Sequence, residues 1–481
     1  MSLALPVPPP GSRPAQSEPG TAAAHRDQLR PAARYRRGVA LWIALAAMAT
    51  VSFNMTRVGG WTVSDLLFLL SGAVVVIHLL NDDHRFLTPE RYRSGSQIVV
   101  AGLLLIVTGA TLSSFGSWSP LSSMMVVVRL IWTTLIWFWV LRSVCRDREA
   151  FGALMKAWRC TVLVSSLIAL MGEYAGVQFN TQDFGQGRQA GLTFHPGELM
   201  NFLIAGFFLF LIPVFVPERQ SERRFPTLWW LAGTMIVTLA IFATGSTSAV
   251  LAIAAGTLTI LATSIYAGRS KGGPSRSPLV TLSVIGLMLI SFMALMSSDL
   301  AIAERLTSYG EGSGNLGDSV DSRARVNDAI LADFDRYLIV GVGPTFFGGA
   351  AGSLVEDTGA TDTEYGNIHN MHLKLLHESG LPALVGLWII IYAIGRQAVR
   401  LVVVSRGTAL FGASLALLGG FVAVNVSAMF GPTAYARHFW LPFAMIGCLW
   451  TVRRRELDQS AAEARALTSP PLPAQTPNPA R

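Results

Sequence analysis

Apolar residues in this chain neither alternate with polar ones nor recur in narrow stripes. They gather into long runs broken by polar connections. Twelve runs are readable, near 39–56, 61–80, 97–116, 121–141, 160–178, 197–216, 228–244, 247–267, 279–297, 381–404, 409–430 and 438–452. A helix needs about 20 predominantly apolar residues to cross a hydrocarbon core, and these runs approach or reach that length. The pattern predicts an all-α, polytopic membrane protein with about 12 transmembrane helices. Composition agrees: 51% of the 481 residues are hydrophobic and 14% charged, where a soluble domain carries about 25% charged residues.

The net charge of +8 changes the picture only through where it lies. Arginine and lysine cluster in alternate connections: Arg30, Arg34, Arg36 and Arg37; Arg85, Arg91 and Arg93; Arg142, Arg146, Arg148, Lys156 and Arg159; Arg219, Arg223 and Arg224; Arg269, Lys271 and Arg276; Arg396, Arg400 and Arg406; Arg453, Arg454 and Arg455. The intervening short loops hold one basic residue each or none, namely Arg57, Arg188 and Arg437. By the positive-inside rule both termini are expected in the cytoplasm. The basic balance is therefore topological, and no nucleic-acid partner is expected.

Residues 1–37, rich in Pro, Ala, Ser and Gly and lacking an apolar h-region, read as a disordered cytoplasmic tail and not as a signal peptide. Transmembrane helices 1–9 are expected over 38–297 and helices 10–12 over 381–455, with a second disordered tail over 456–481. Cys145, Cys160 and Cys448 are too few and scattered for a disulfide framework or thiolate metal site. No internal repeat is visible.

One connection is long: residues 298–380, placed outside the cytoplasm by this topology. In a chain with otherwise short loops it is the natural seat of function. Val326, Ile330 and Phe334 recur every four residues and predict an amphipathic helix. Arg323 extends its stripe and needs an anionic partner if buried, or snorkels at the membrane surface. Arg325 points elsewhere. "VGVGPTFFGGAAG" then supplies a glycine-rich turn; such loops can offer amides to phosphate, but no P-loop Lys-Ser/Thr follows.

"GNIHNMHLKLLHESGLPAL", residues 366–384, sets three histidines, a lysine and a glutamate at the mouth of the tenth run. An interfacial polar role for each remains open beside general-base chemistry by a near-neutral imidazole. His369 and His372 at i, i+3 have no third metal ligand placed by spacing. His372, Lys374 and His377 are expected at the surface. Arg129, inside the fourth run, has either a substrate role or a structural pair with Glu173 or Asp65. His195 and Glu198, at the head of the sixth run, either cap that helix or take part in the site.

"HNMHLKLLHESGL" resembles the His-Asn-x-x-Leu-x-x-Leu-x-Glu-x-Gly-Leu signature of the O-antigen ligase and O-antigen/exopolysaccharide polymerase superfamily, with His369, Asn370, Leu373, Leu376, Glu378, Gly380 and Leu381 in its positions. "SRARVNDAILADFDRYLIVGVGP" is similar to that family's Arg-x-x-x-Trp helix leading to Gly-x-Gly-Pro, although Asn327 stands where tryptophan is usual. "GRQAGLTFHPGELMNFL" looks like its arginine-bearing outer loop, with Arg188 in the basic position. In "TGSTSAV" Thr247 occupies a slot that is often basic, and Ala383 replaces a second glycine.

The resemblance implies a GT-C-like, all-α membrane fold and a metal-independent, inverting glycosyl transfer without cofactor. The donor is an oligosaccharide or polysaccharide on undecaprenyl diphosphate, and the acceptor a glycan or lipid. His369 is then the expected base, and Arg188, Arg323 and Arg437 the expected diphosphate ligands. Asn370, Glu378 and Arg325 are expected in support. The implied location is the bacterial inner membrane, with the bilayer and other polysaccharide assembly proteins as further partners. A polysaccharide polymerase is expected; a ligase moving glycan onto lipid A core is the alternative within the superfamily. A transporter or flippase is the alternative from another class.

Overall fold

The computed structural model describes residues 38–53, 61–81, 87–89, 97–117, 119–177, 188–193, 195–212, 227–269, 324, 326–328, 330–332, 334–344, 368–431, 433 and 435–468. The 1–37 tail, the ninth apolar run, Arg323 and Arg325 lie outside these residues. Among the described residues the chain is helical, with no β-strand. The helices are α1 (Val39–Ala49), α2 (Val63–Leu80), α3 (Gln97–Phe115), α4 (Pro120–Val144), α5 (Arg148–Ala175), α6 (Pro196–Phe207), α7 (Thr227–Ala243), α8 (Thr247–Arg269), a short α9 (Phe334–Tyr337), α10 (Met371–Val404), α11 (Phe411–Ala428) and α12 (Arg437–Thr468).

Seven of these, α2, α3, α4, α5, α8, α10 and α11, are long and apolar enough to cross a membrane; α1 and α7 are shorter and apolar, as is α6 with its 3-10 extension to Leu211. The protein is a multi-pass membrane protein, as the run pattern predicts.

Local sequence sets the helix ends. Thr62 and Asp65 form a reciprocal capping box at the start of α2. Asp147 accepts the Ala150 amide to begin α5, and Gly176, at φ 66°, ends it. The fourth run is one helix interrupted by a π-helical turn, Trp132–Ile136.

Lipid tails are as apolar as leucine, so helices in a bilayer associate through close packing, and small residues permit it. A Cβ on Gly102 would lie 2.7 Å from the Gly386 oxygen, and one on Gly109 2.6 Å from the Ser379 oxygen, so α3 and α10 touch backbone to backbone. Gly256 does the same for α8 against Gly419 of α11.

Contacts between helix termini define two ends. At one, Arg453 donates to the Val404 carbonyl at 2.7 Å, Arg455 to the Arg146 carbonyl at 2.9 Å, and Arg148 pairs with Glu456 at 3.4 Å. At the other, the starts of α2, α6, α10 and α12 meet the end of α11 and the turn between α7 and α8.

Two expectations need correction. Residues 456–468, read as disordered tail, continue α12, because Arg453 bonds Glu456 one turn on and good helix formers follow. Helix α10 begins at Met371, ten residues before the expected span, and breaks where that span was expected to start: Gly380 has φ 74° and ψ −179°.

The break exposes two carbonyls to account for. In a continuous helix Leu381 N–H would serve His377 C=O; here it bonds Leu338 C=O at 2.7 Å. Pro382 has no N–H to offer Glu378 C=O. Both freed carbonyls accept from the loop before α10 instead: Val342 N–H on His377 C=O and Gly343 N–H on Glu378 C=O, each at 2.9 Å. The loop thus completes the helix that the glycine and proline interrupt. The Val326, Ile330 and Tyr337 side chains then pack with Ile368, Leu376 and Leu384 in a core of their own, as the four-residue stripe predicts.

Candidate active site

The first half of α10, residues 371–379, carries the histidine motif. Asn370 caps it, its Oδ1 accepting from the amides of His372 at 3.0 Å and Leu373 at 3.3 Å. That carbonyl oxygen is therefore committed to the helix start. His369 stands one residue before the cap, half-buried, at the rim where α10 meets the turn between α11 and α12.

Behind the rim the half-helix is sealed. Lys374 and His377, expected at the surface, are buried. The reason lies in their partners. Lys374 Nζ is 3.1 Å from Glu378 Oε1, an i, i+4 pair with both side chains almost wholly buried. Tyr435 donates to Glu378 Oε2 at 2.6 Å. Burial, and then the Glu378 charge, push the Tyr435 phenol well above its ordinary range, so it remains a donor. His377 lies edge-on to Tyr337, ring centroids 4.7 Å apart. Glu378 is thus a structural hub joining α10 to the turn before α12.

The glycines of "VGVG" serve this packing. A Cβ on Gly341 would fall 2.6 Å from the Glu378 carbonyl group, and one on Gly343 2.4 Å from Ser117 Cβ. Since the Val342 and Gly343 amides bond α10 carbonyls, the turn does not present them to phosphate.

Arg188 lies at the same end. Its Nε donates to Thr244 C=O at 3.1 Å, and its neighbour Gln189 donates through the backbone to Ala243 C=O at 3.0 Å. A Cβ on Gly245, at φ 62°, would sit 3.1 Å from Arg188 Cγ, so the arginine lies directly over the turn between α7 and α8. Ser246 and Ser248 exchange a hydroxyl contact at 3.1 Å beside it.

Arg437 is placed differently from Arg188. Its Nη2 pairs with Asp65 Oδ2 at 2.8 Å, and both side chains are buried. The same carboxylate oxygen accepts the Thr62 amide and hydroxyl. This gives Arg437 a role in joining α12 to α2, in place of the open diphosphate contact expected from sequence. Asp65, suggested from sequence as a partner of Arg129, is thus shared with Arg437 and Thr62. Glu173, the other suggested partner of Arg129, hydrogen-bonds Gln189. His195 caps α6 through its Nδ1, which accepts the Gly197 amide at 3.0 Å. Among the described residues no three His, Cys, Asp or Glu side chains converge as a metal site requires.

Tyr435 and Asp65 are the participants that sequence reasoning underplayed. The i, i+4 spacing of Lys374 and Glu378 was a readable signal of a pair. Nothing local announced Tyr435, which reaches Glu378 across 57 residues of chain.

His369 and Arg188 thus lie at one end of a multi-pass bundle of apolar helices. Residues 232–389 match the model of the O-antigen ligase family. The resemblance read from the histidine motif is borne out over that segment, about a third of the chain, which contains His369 and Glu378 but neither Arg188 nor Arg437. No curated protein matches the chain.

Proposed function

We propose that the chain is a polysaccharide polymerase of the inner membrane, transferring glycan from undecaprenyl diphosphate to an acceptor sugar hydroxyl on the periplasmic side. The observation that carries this reading is that His369, half-buried and within the segment matched to the O-antigen ligase family, lies at the same end of the bundle as Arg188.

In this reading the acceptor oxygen attacks the anomeric carbon as the bond from that carbon to the diphosphate oxygen breaks. The hydroxyl proton passes to His369, and the electron pair leaves with the lipid diphosphate. Arginine is suited to the departing group because it keeps its charge and binds phosphate bidentately. Arg188 is held for this by Thr244, and Arg323 is assigned the same task from the motif. Asn370 and Glu378 act indirectly, by fixing the half-helix behind the base, and Arg325 is kept in a supporting place. Both termini lie in the cytoplasm, by the arginine distribution.

A ligase reading, with lipid A core as acceptor, is favoured by the description of the matching family. The transporter reading draws no support from that match. Deleting the gene and running surface polysaccharide on a gel separates them. Single-repeat material supports the polymerase, free lipid-linked polymer with bare acceptor supports the ligase, and loss of outward-facing intermediates overturns both in favour of a flippase.

A further inference from the structure

One contact crosses the α10 break without involving the outer loop. Trp388 Nε1 donates to His372 Nδ1 at 3.3 Å, linking the second half of the helix to the first. The two residues are 16 apart. In a straight helix that spacing separates their Cα atoms by about 24 Å along the axis and turns the side chains about 160° from one another. An indole and an imidazole cannot span that gap from opposite faces. The contact therefore exists only because the chain bends at Gly380, whose φ of 74° and ψ of −179° are open to glycine alone.

The bend is closed elsewhere by backbone bonds to residues 338–343. Those bonds fix the C-terminal end of the half-helix. His372 lies at the opposite end, in the first turn, three residues from His369 and directly on the Asn370 cap. A tie at His372 thus controls the end that carries the proposed base. Trp388 is 53% exposed on the outward stripe of α10, so its N–H has a defined partner in His372 although its ring faces out of the bundle.

We infer that His372 and Trp388 form a brace that sets the angle of the half-helix and so the position of His369. They are positioning residues; neither touches substrate. The inference rests on the reading of His369 as the base, and deepens it.

The test uses full-length protein purified in lipid, with a lipid-diphosphate-linked glycan as donor and turnover expressed per folded protein. Misplacing a catalytic group by about 1 Å costs up to about 100-fold, so Trp388→Phe and His372→Ala should each lower kcat about tenfold and leave donor KM within about twofold. Because both remove the same bond, the double variant should turn over no more slowly than the worse single one. His372→Asn, whose Oδ1 replaces Nδ1 as acceptor, should stay within about threefold of wild type. The brace is overturned if the single variants have normal kcat, if their effects multiply in the double variant, or if His372→Asn is as slow as His372→Ala. His369→Ala run alongside separates the two ideas. If it retains normal turnover, the reading of the site fails. If it is inactive while the brace variants behave independently, only the brace fails.

Discussion

Residues 374–380 of α10 are all buried, although they include a lysine, a histidine, a glutamate and a serine. Past Gly380 the same helix becomes almost purely apolar, and there it opens outward: Leu381, Val385, Trp388 and Tyr392 are exposed on one stripe. In water this division would be inverted. In a bilayer it follows from solvent: the greasy half has lipid to face, whereas a charged half is tolerated only where partners satisfy it. Lys374, Glu378 and Tyr435 supply those partners for one another. The lesson is that the first half of α10 buries its polar residues because they satisfy one another, whereas the second half leaves an apolar stripe exposed.

That contrast is open to attack at graded strength. The largest effect is expected at the rim: His369→Ala should lower transfer by about 100- to 10,000-fold, the range for loss of a general base, while the protein inserts and folds as wild type. Near-normal transfer in purified protein would remove the base assignment. Next is Glu378→Ala, which leaves Lys374 charged and buried; loss of one partner of such a pair costs about 3–5 kcal/mol. Thermal unfolding in detergent should show a clear fall in stability, and an unchanged midpoint would mean that the polar half is not sealed. Gly380→Ala should destabilise by about 2–4 kcal/mol, because it forces a side chain into a glycine-only conformation and against the Ile339 carbonyl. The smallest effect belongs to the exposed half: Val385→Ala, facing lipid, should change the unfolding midpoint by the equivalent of less than about 0.5 kcal/mol. If it rivals Glu378→Ala, the two halves are not different in kind.

Much of this was legible in sequence. The apolar runs predicted the membrane helices, the four-residue stripe of Val326 and Ile330 predicted a packed outer helix, and the motif singled out His369, Asn370 and Glu378. The expected start of the tenth span even coincided with the break at Gly380. What sequence misassigned were the charges on either side of it. Lys374 and His377 read as surface residues because the groups that bury them arrive from distant segments: Tyr435 closes over Glu378, the partner of Lys374, and Tyr337 packs on His377. Arg437 read as a ligand for the same reason: Asp65 is 372 residues away. A charge can be recognised locally, but its neutralising partner is set by tertiary packing.

Cysteine labelling along α10 tests the central claim directly. In a variant lacking Cys145, Cys160 and Cys448, single cysteines at His369, Leu376, His377 and Ser379 are exposed to a membrane-impermeant maleimide in right-side-out spheroplasts. The account predicts that His369→Cys is labelled from outside and that Leu376→Cys, His377→Cys and Ser379→Cys react only after denaturation. Labelling of the inner three in folded protein, or silence at position 369, would contradict an open rim backed by a sealed polar half-helix.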